Sequence, residues 1–225
     1  MNNKEIAMAA FDFGIKVDPA PFDRQINEGY QVNISDYVRQ GWEMFQKNIG
    51  EFIGFTLVVF VISALSARMN AFGSIIFSAL AASLYAGYSI VAFKRLIGQE
   101  IQFSDFFKGF NYFLPLFLAG LASGLLVSLG IVLLVIPGIY LAVSYVFVTF
   151  LIIDHRMDFW QAMEISRKII TKEWFAVFGL ALALFAINLL GVLALGVGLL
   201  VSAPVTACAA AIAYKDIVGL HASEW

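Results

Sequence analysis

Between Lys108 and Asp154 the chain runs for 45 residues without a charged side chain, and between Glu173 and Lys215 it does so again for 41. An ionised side chain is costly in hydrocarbon, so stretches of this kind mark where a chain can lie in a membrane. A helix crosses the hydrocarbon core with about 20 residues. A single helix through the first run would be about 67 Å long at 1.5 Å per residue, far more than one crossing needs. Each long run must therefore cross, turn and return. Two shorter runs, 16 residues between Glu51 and Arg68 and 25 between Arg68 and Lys94, allow one crossing each, the first extended by Ile49 and Gly50. The expected fold is an all-α membrane protein of six transmembrane helices arranged as three hairpins.

Composition agrees. Hydrophobic residues make up 61% and charged residues 13% of the chain, against about half and a quarter for soluble domains. A net charge of −2 with no basic stripe speaks against a nucleic-acid partner. Cys208 lies in an alanine-rich apolar run and reads as a small packing residue rather than a reactive thiol. The stretch 1–23 lacks a basic region followed by an apolar core, so no signal peptide is expected and the spans themselves direct insertion.

Orientation follows from the basic residues. Thirteen of the fourteen, all but Arg68, fall on one side of a six-span winding, which the positive-inside rule assigns to the cytoplasm. Both termini are then cytoplasmic, and the outer loops are too short for an extracellular ligand-binding domain.

Each predicted hairpin is preceded by a stretch of helical periodicity. Tyr37, Val38, Gly41, Trp42 and Phe45 share one face, opposite Arg39, Gln40, Glu43 and Lys47. Phe106, Phe107, Phe110 and Phe113 cluster before the second hairpin. Phe159, Trp160, Met163 and Ile170 oppose Gln161, Glu164, Arg167 and Lys168 before the third. These stretches are expected to lie in the cytoplasmic interface, aromatics in the headgroup layer. Ser35, Ser104 and Asp158 are the expected N-caps, with Glu43–Lys47 and Glu164–Lys168 as supporting pairs. The segment LGIVLLV at 129–135 recurs as LGVGLLV at 195–201, followed by Pro137 and Pro204. The two Leu-Gly pairs are expected at the outer turns, with each proline early in the returning helix. Residues 1–33 read as a loosely ordered cytoplasmic tail, 34–219 as the membrane domain and 220–225 as a C-terminal tail.

No constellation for catalysis, metal or cofactor binding is present in the pattern: His155 and His221 have no metal-ligand spacing to other ligand types. An enzyme is not expected. Asn188 is the strongly polar residue in the middle of an uncharged run, expected to make an interhelical hydrogen bond and otherwise to mark a polar site inside the bundle. Small-residue stripes, Gly120/Gly124, Ala79/Ser83/Gly87 and Ala203/Ala207/Ala211, suit close packing within the bundle or, alternatively, homo-oligomerisation. Asp154, His155 and Arg156, with Glu164, Arg167, Lys168 and Asp216 expected nearby, form a solvated rim. The alternative is a site where Trp42, Trp160, Arg167, Lys168, Lys172 and Trp174 meet lipid phosphates or a partner protein.

The stretch 87–110, GYSIVAFKRLIGQEIQFSDFFKGF, with its glycine-bearing span, basic linker and Phe107-Lys108-Gly109-Phe110, resembles bacterial YciC-like membrane proteins. Val135-Ile136-Pro137-Gly138-Ile139-Tyr140-Leu141, Asp154, Pro204 and Tyr214-Lys215-Asp216 extend the resemblance over about 34–219. This group is similar to the membrane domain attached to some glycerophosphodiester phosphodiesterases. The resemblance implies a six-helix bacterial inner-membrane protein and carries over no catalytic residue. Two functions are in view: a non-enzymatic membrane protein whose cytoplasmic amphipathic helices engage lipids or a membrane partner, and, alternatively, a transporter or channel for a small or lipophilic solute.

Overall fold

The protein is described by a computed structural model covering residues 14–68, 70–222 and 225, with 70–76 and 78 described by their helix alone. The described residues are mostly helical, joined by turns and short irregular stretches, with one isolated bridge between Ile15 and Met157. Among them, five stretches are long and apolar enough to cross a membrane: Ile49–Arg68, Phe103–Leu133, Val135–His155, Trp174–Leu193 and Leu199–Ile217. That is compatible with an integral membrane protein. The remaining expected crossing corresponds to the helix Asn70–Leu96, some of whose side chains lie outside the described residues. The expectations for residues 1–13 also fall outside them.

The chain divides into two compact units. One comprises the described parts of Asn33–Phe110, Leu182–Ala213 and Glu224–Trp225. Its first helices are short α2 (Ile34–Gln46), then α3 (Ile49–Arg68) and α4 (Asn70–Leu96); α1 (Asp23–Asn27) belongs to the other unit. The apolar face expected on α2 divides: Tyr37, Gly41 and Phe45 are buried one turn apart, whereas Val38 is half-buried and Trp42 is exposed. Gly41 is required there: a Cβ would stand 2.8 Å from the Val205 carbonyl and 2.9 Å from the Ala209 amide. That face of the last helix, not the Ala203/Ala207/Ala211 stripe, receives α2. Two local expectations fail. Asn33, not Ser35, precedes α2, without a side-chain cap, and Glu43 pairs with Arg39 at 3.0 Å rather than with Lys47.

The predicted second amphipathic stretch is a 3-10 helix, Phe103–Tyr112, with Ser104 inside it rather than at its cap. Its backbone sits against the expected Ser83/Gly87 stripe of α4. A Cβ on Gly87 would run into the Phe106 carbonyl, and one on Gly109 into the Ser83 carbonyl. Helix and 3-10 segment thus meet backbone to backbone, which lets Phe106 enter a cluster with Phe52, Phe55 and Tyr88 at ring distances of 4.5 to 5.9 Å. The interlocking rings, all nearly or fully buried, make this the apolar core of the unit.

The other unit comprises the described parts of Met1–Val32, Asn111–Ala181 and Tyr214–Ser223. It holds α1, α5 (Phe113–Leu133), α6 (Val135–Ser144), α7 (Val148–His155) and α8 (Phe159–Lys172), together with the start of α9 (Trp174–Leu193) and the end of α10 (Leu199–Ile217). The turn expected at Leu129-Gly130 lies elsewhere. Helix α5 runs on to Leu133 and breaks at Leu134, whose backbone is extended. Gly130 is used for packing instead, 2.9 Å from the Gly138 Cα at its would-be Cβ. The second Leu-Gly pair does form a turn, Leu195 and Gly196 both adopting positive φ. Pro137 lies in the first turn of α6, and Pro204 lies inside α10.

A loosely ordered tail is not what Gly14–Tyr30 forms. Ile15 exchanges backbone hydrogen bonds with Arg156 (2.9 Å) and Asp158 (3.1 Å). Val17 is held at both its amide and carbonyl by the Gln161 side chain, at 2.7 and 2.5 Å. Phe22 is buried with its ring 5.0 Å from His155, and the Tyr30 hydroxyl reaches the Ile169 carbonyl at 3.2 Å. The segment is a strap along α8.

Candidate functional site

Helix α8 begins as the sequence predicts. The Asp158 carboxylate accepts the Trp160 and Gln161 amides, satisfying two of the free donors of the first turn. Its apolar face does not lie against lipid. Met163, Ile165, Ser166, Ile169 and Ile170 are buried, and the helix packs against α5, α6 and α7 of its own unit. What remains outward is Trp160, 56% exposed, with Lys168 and Lys172, while Arg167 is half-buried. Lys168 pairs with Glu164 at 2.9 Å and holds that carboxyl below its ordinary pKa. Both partners are about half exposed, so the pair contributes little to stability. Trp174 is half-buried: its indole N–H donates to the Tyr140 carbonyl at 3.3 Å, and its ring stacks on Phe178 at 5.1 Å. In the other unit, Trp42 projects from α2 at 43% exposure.

The rim expected around Asp154 is smaller and more buried than its charge pattern suggests. Asp154 is 1% exposed and accepts the amides of His221 (3.0 Å) and Ala222 (2.9 Å) and the Tyr214 hydroxyl (3.1 Å). His155 approaches the same carboxylate at 3.5 Å and stacks on His221, centroids 4.8 Å apart. The structure therefore joins Asp154 and His155 to the C-terminal tail, whereas Glu164 and Lys168 pair on the outer face of α8. Three amide and hydroxyl donors converge on one carboxylate, a clasp for the tail. The described residues contain no group of three or more potential ligands suited to a metal ion.

Asn188 makes the interhelical bond its sequence position suggests: its amide donates to the Thr206 hydroxyl of α10 at 2.9 Å. Its carbonyl oxygen and the nearby helix's Ser202 hydroxyl are buried and without hydrogen-bond partners among the described residues. Gly120 and Gly124, in contrast, meet nothing within 4 Å at their would-be Cβ positions, so that stripe receives no close neighbour among the described residues.

Two polar centres escaped the sequence reading. Asp105 is 3% exposed and binds Lys94 at 2.6 Å, Lys108 at 3.0 Å and the Gln102 amide at 2.8 Å. Lys108 also reaches the main-chain oxygen of Trp225 at 2.8 Å. The spacing of Lys94 from Asp105 carried no signal, although Asp105-Lys108 is an i,i+3 pair visible in hindsight. The second centre is Ser166, fully buried on α8. Its hydroxyl donates to the Ser144 carbonyl at 2.7 Å and accepts the Phe147 amide at 3.3 Å, bridging the turn that separates α6 from α7.

No family model, curated protein or solved structure matches the chain. The functional reading therefore rests on the residues themselves.

Proposed function

We propose that the chain is a non-enzymatic bacterial inner-membrane protein, crossing six times with both termini cytoplasmic, whose cytoplasmic amphipathic segments engage lipid headgroups. The observation that carries this reading is the division of α8. Its apolar side is taken up by the protein, while Trp160, Lys168 and Lys172 remain outward, the pairing of aromatic and cation that suits a phosphate-rich interface. Exposed Trp42 on α2 gives a second anchor of the same kind. The six-span winding is supported by the charge distribution and by the resemblance to YciC-like proteins. A membrane partner protein would use the same exposed residues.

Two experiments test it. Reporters fused after Gly98 and after Met157 are expected on the cytoplasmic side; either one outside refutes the winding. Trp42→Ala, and Arg167→Ala with Lys168→Ala, are expected to reduce co-purifying lipid without creating solute flux. Unchanged lipid content in both variants refutes headgroup engagement.

A second reading, passage of a small or lipophilic solute, is favoured by the unpartnered Asn188 carbonyl and Ser202 hydroxyl between apolar helices. It predicts flux in reconstituted vesicles that Asn188→Leu abolishes.

A further inference from the structure

At the junction of α2 and α3, the chain forms a cleft of about 200 Å³, lined by Gln40, Glu43, Lys47, Asn48 and Arg95 over an apolar wall that includes Ile212. Lys47 comes from the turn after α2 and Arg95 from the last turn of α4, and no periodicity in the sequence brings the two together. Their neighbours are already neutralised. Arg39 binds Asp36 and Glu43, and Lys94 and Lys108 both bind Asp105. Gln40 spends its amide on Asp36 and Asn48 on the Met44 carbonyl. Among the described residues, Lys47 and Arg95 have no acidic partner within ion-pair distance. Cations at helix C-termini also complement the helix dipole, which accounts for their place in the sequence but not for their convergence on one concavity.

We infer that this cleft binds the phosphate of one anionic phospholipid headgroup, between the Lys47 ammonium and the Arg95 guanidinium. At about 30 Å³ per water-sized group, the volume accommodates a phosphate with a short polar substituent. A lipid is favoured over free phosphate because exposed apolar residues continue from the cleft along α3: Ile49, Leu57 and Val61 are 46, 46 and 57% exposed. They provide a track for an acyl chain. The assignment rests on the headgroup-binding role proposed above and gives it a specific ligand and site.

The test is native mass spectrometry of the full chain titrated with phosphatidylglycerol. One lipid is expected to bind each chain more tightly than the rest. Lys47→Gln with Arg95→Gln should weaken that first lipid about twenty-five-fold, at about fivefold per cation. Lys168→Gln with Lys172→Gln, the same charge change on α8, should spare it and lower only the later, weaker binding. Lys47→Arg with Arg95→Lys should restore it. Equal loss in both double variants overturns the cleft while leaving headgroup engagement standing; no loss in either overturns both. If millimolar inorganic phosphate displaces the first lipid, the site is one for free phosphate and the lipid assignment fails. Circular dichroism of each variant must match the parent, and a restored affinity in the charge-swapped pair excludes misfolding as the cause of the loss.

Discussion

Ser166→Ala removes one oxygen atom from a fully buried site, and its consequence can be worked out from the break it bridges. The stretch Val135–His155 is apolar enough to cross a membrane, yet its helix is interrupted at Tyr145–Phe147. An interruption there strands backbone groups that neither lipid nor water can satisfy. The Ser166 hydroxyl donates to the Ser144 carbonyl at 2.7 Å and accepts from the Phe147 amide at 3.3 Å. Interhelical hydrogen bonds in membranes average only about 0.6 kcal/mol in net terms. Truncation here is more costly, because it leaves a carbonyl and an amide buried without partners, at about 1–3 kcal/mol each. The longer bond belongs at the low end of that range, so the expected loss is about 2–3 kcal/mol. Ser144→Ala is the internal comparison. Its hydroxyl returns to the Tyr140 carbonyl in its own turn, a carbonyl that Trp174 also serves, so its removal should cost about 0.5 kcal/mol. Reversible unfolding in mixed micelles measures both. In a thermal melt the Ser166 variant should fall by about 4–12 °C, at roughly 2–4 °C per kcal/mol for a chain of this size. If Ser166→Ala and Ser144→Ala differ by less than about 0.5 kcal/mol, the break does not depend on this bridge and the reasoning fails.

Other outcomes follow from the same geometry. Asp105→Asn leaves Lys94 and Lys108 facing each other without their carboxylate and should cost about 2–4 kcal/mol in the same unfolding assay; a neutral result would show that the lysines swing out to water. Gly87→Ala forces a methyl into the Phe106 carbonyl and should prevent stable accumulation of the protein. Gly120→Ala meets open space and should be neutral or slightly stabilising through helix propensity, so equal damage from both would contradict the packing. Phe22→Ala should loosen the N-terminal strap, read as faster proteolysis between Gly14 and Tyr30 with the helices from Ile34 onward intact.

What the chain's linear pattern determined was where charge is tolerated and what adjacent residues do for one another. Long uncharged runs implied apolar helices, and five such stretches are present among the described residues. The Asp158 cap and the Glu164–Lys168 pair are local, set within one or two turns, and they came out as read, while the α2 face came out in part, at Tyr37, Gly41 and Phe45 but not at Trp42. Asn188 was legible because an amide in an apolar run must find a partner, though the pattern could not name Thr206. The failures share a cause. Leu134 rather than Leu129-Gly130 forms the first turn because Gly130 is consumed by close packing on Gly138. The break before Phe147 has no proline or glycine to announce it, since Ser166 supplies the missing partners from another helix. The strap at Gly14–Tyr30 reads as tail until Arg156 and Gln161 present the groups that hold it. Hydrocarbon acts on every residue according to its own polarity, so burial in the membrane can be read one residue at a time. Backbone satisfaction and close packing depend on which distant atoms meet, and only the folded chain decides that.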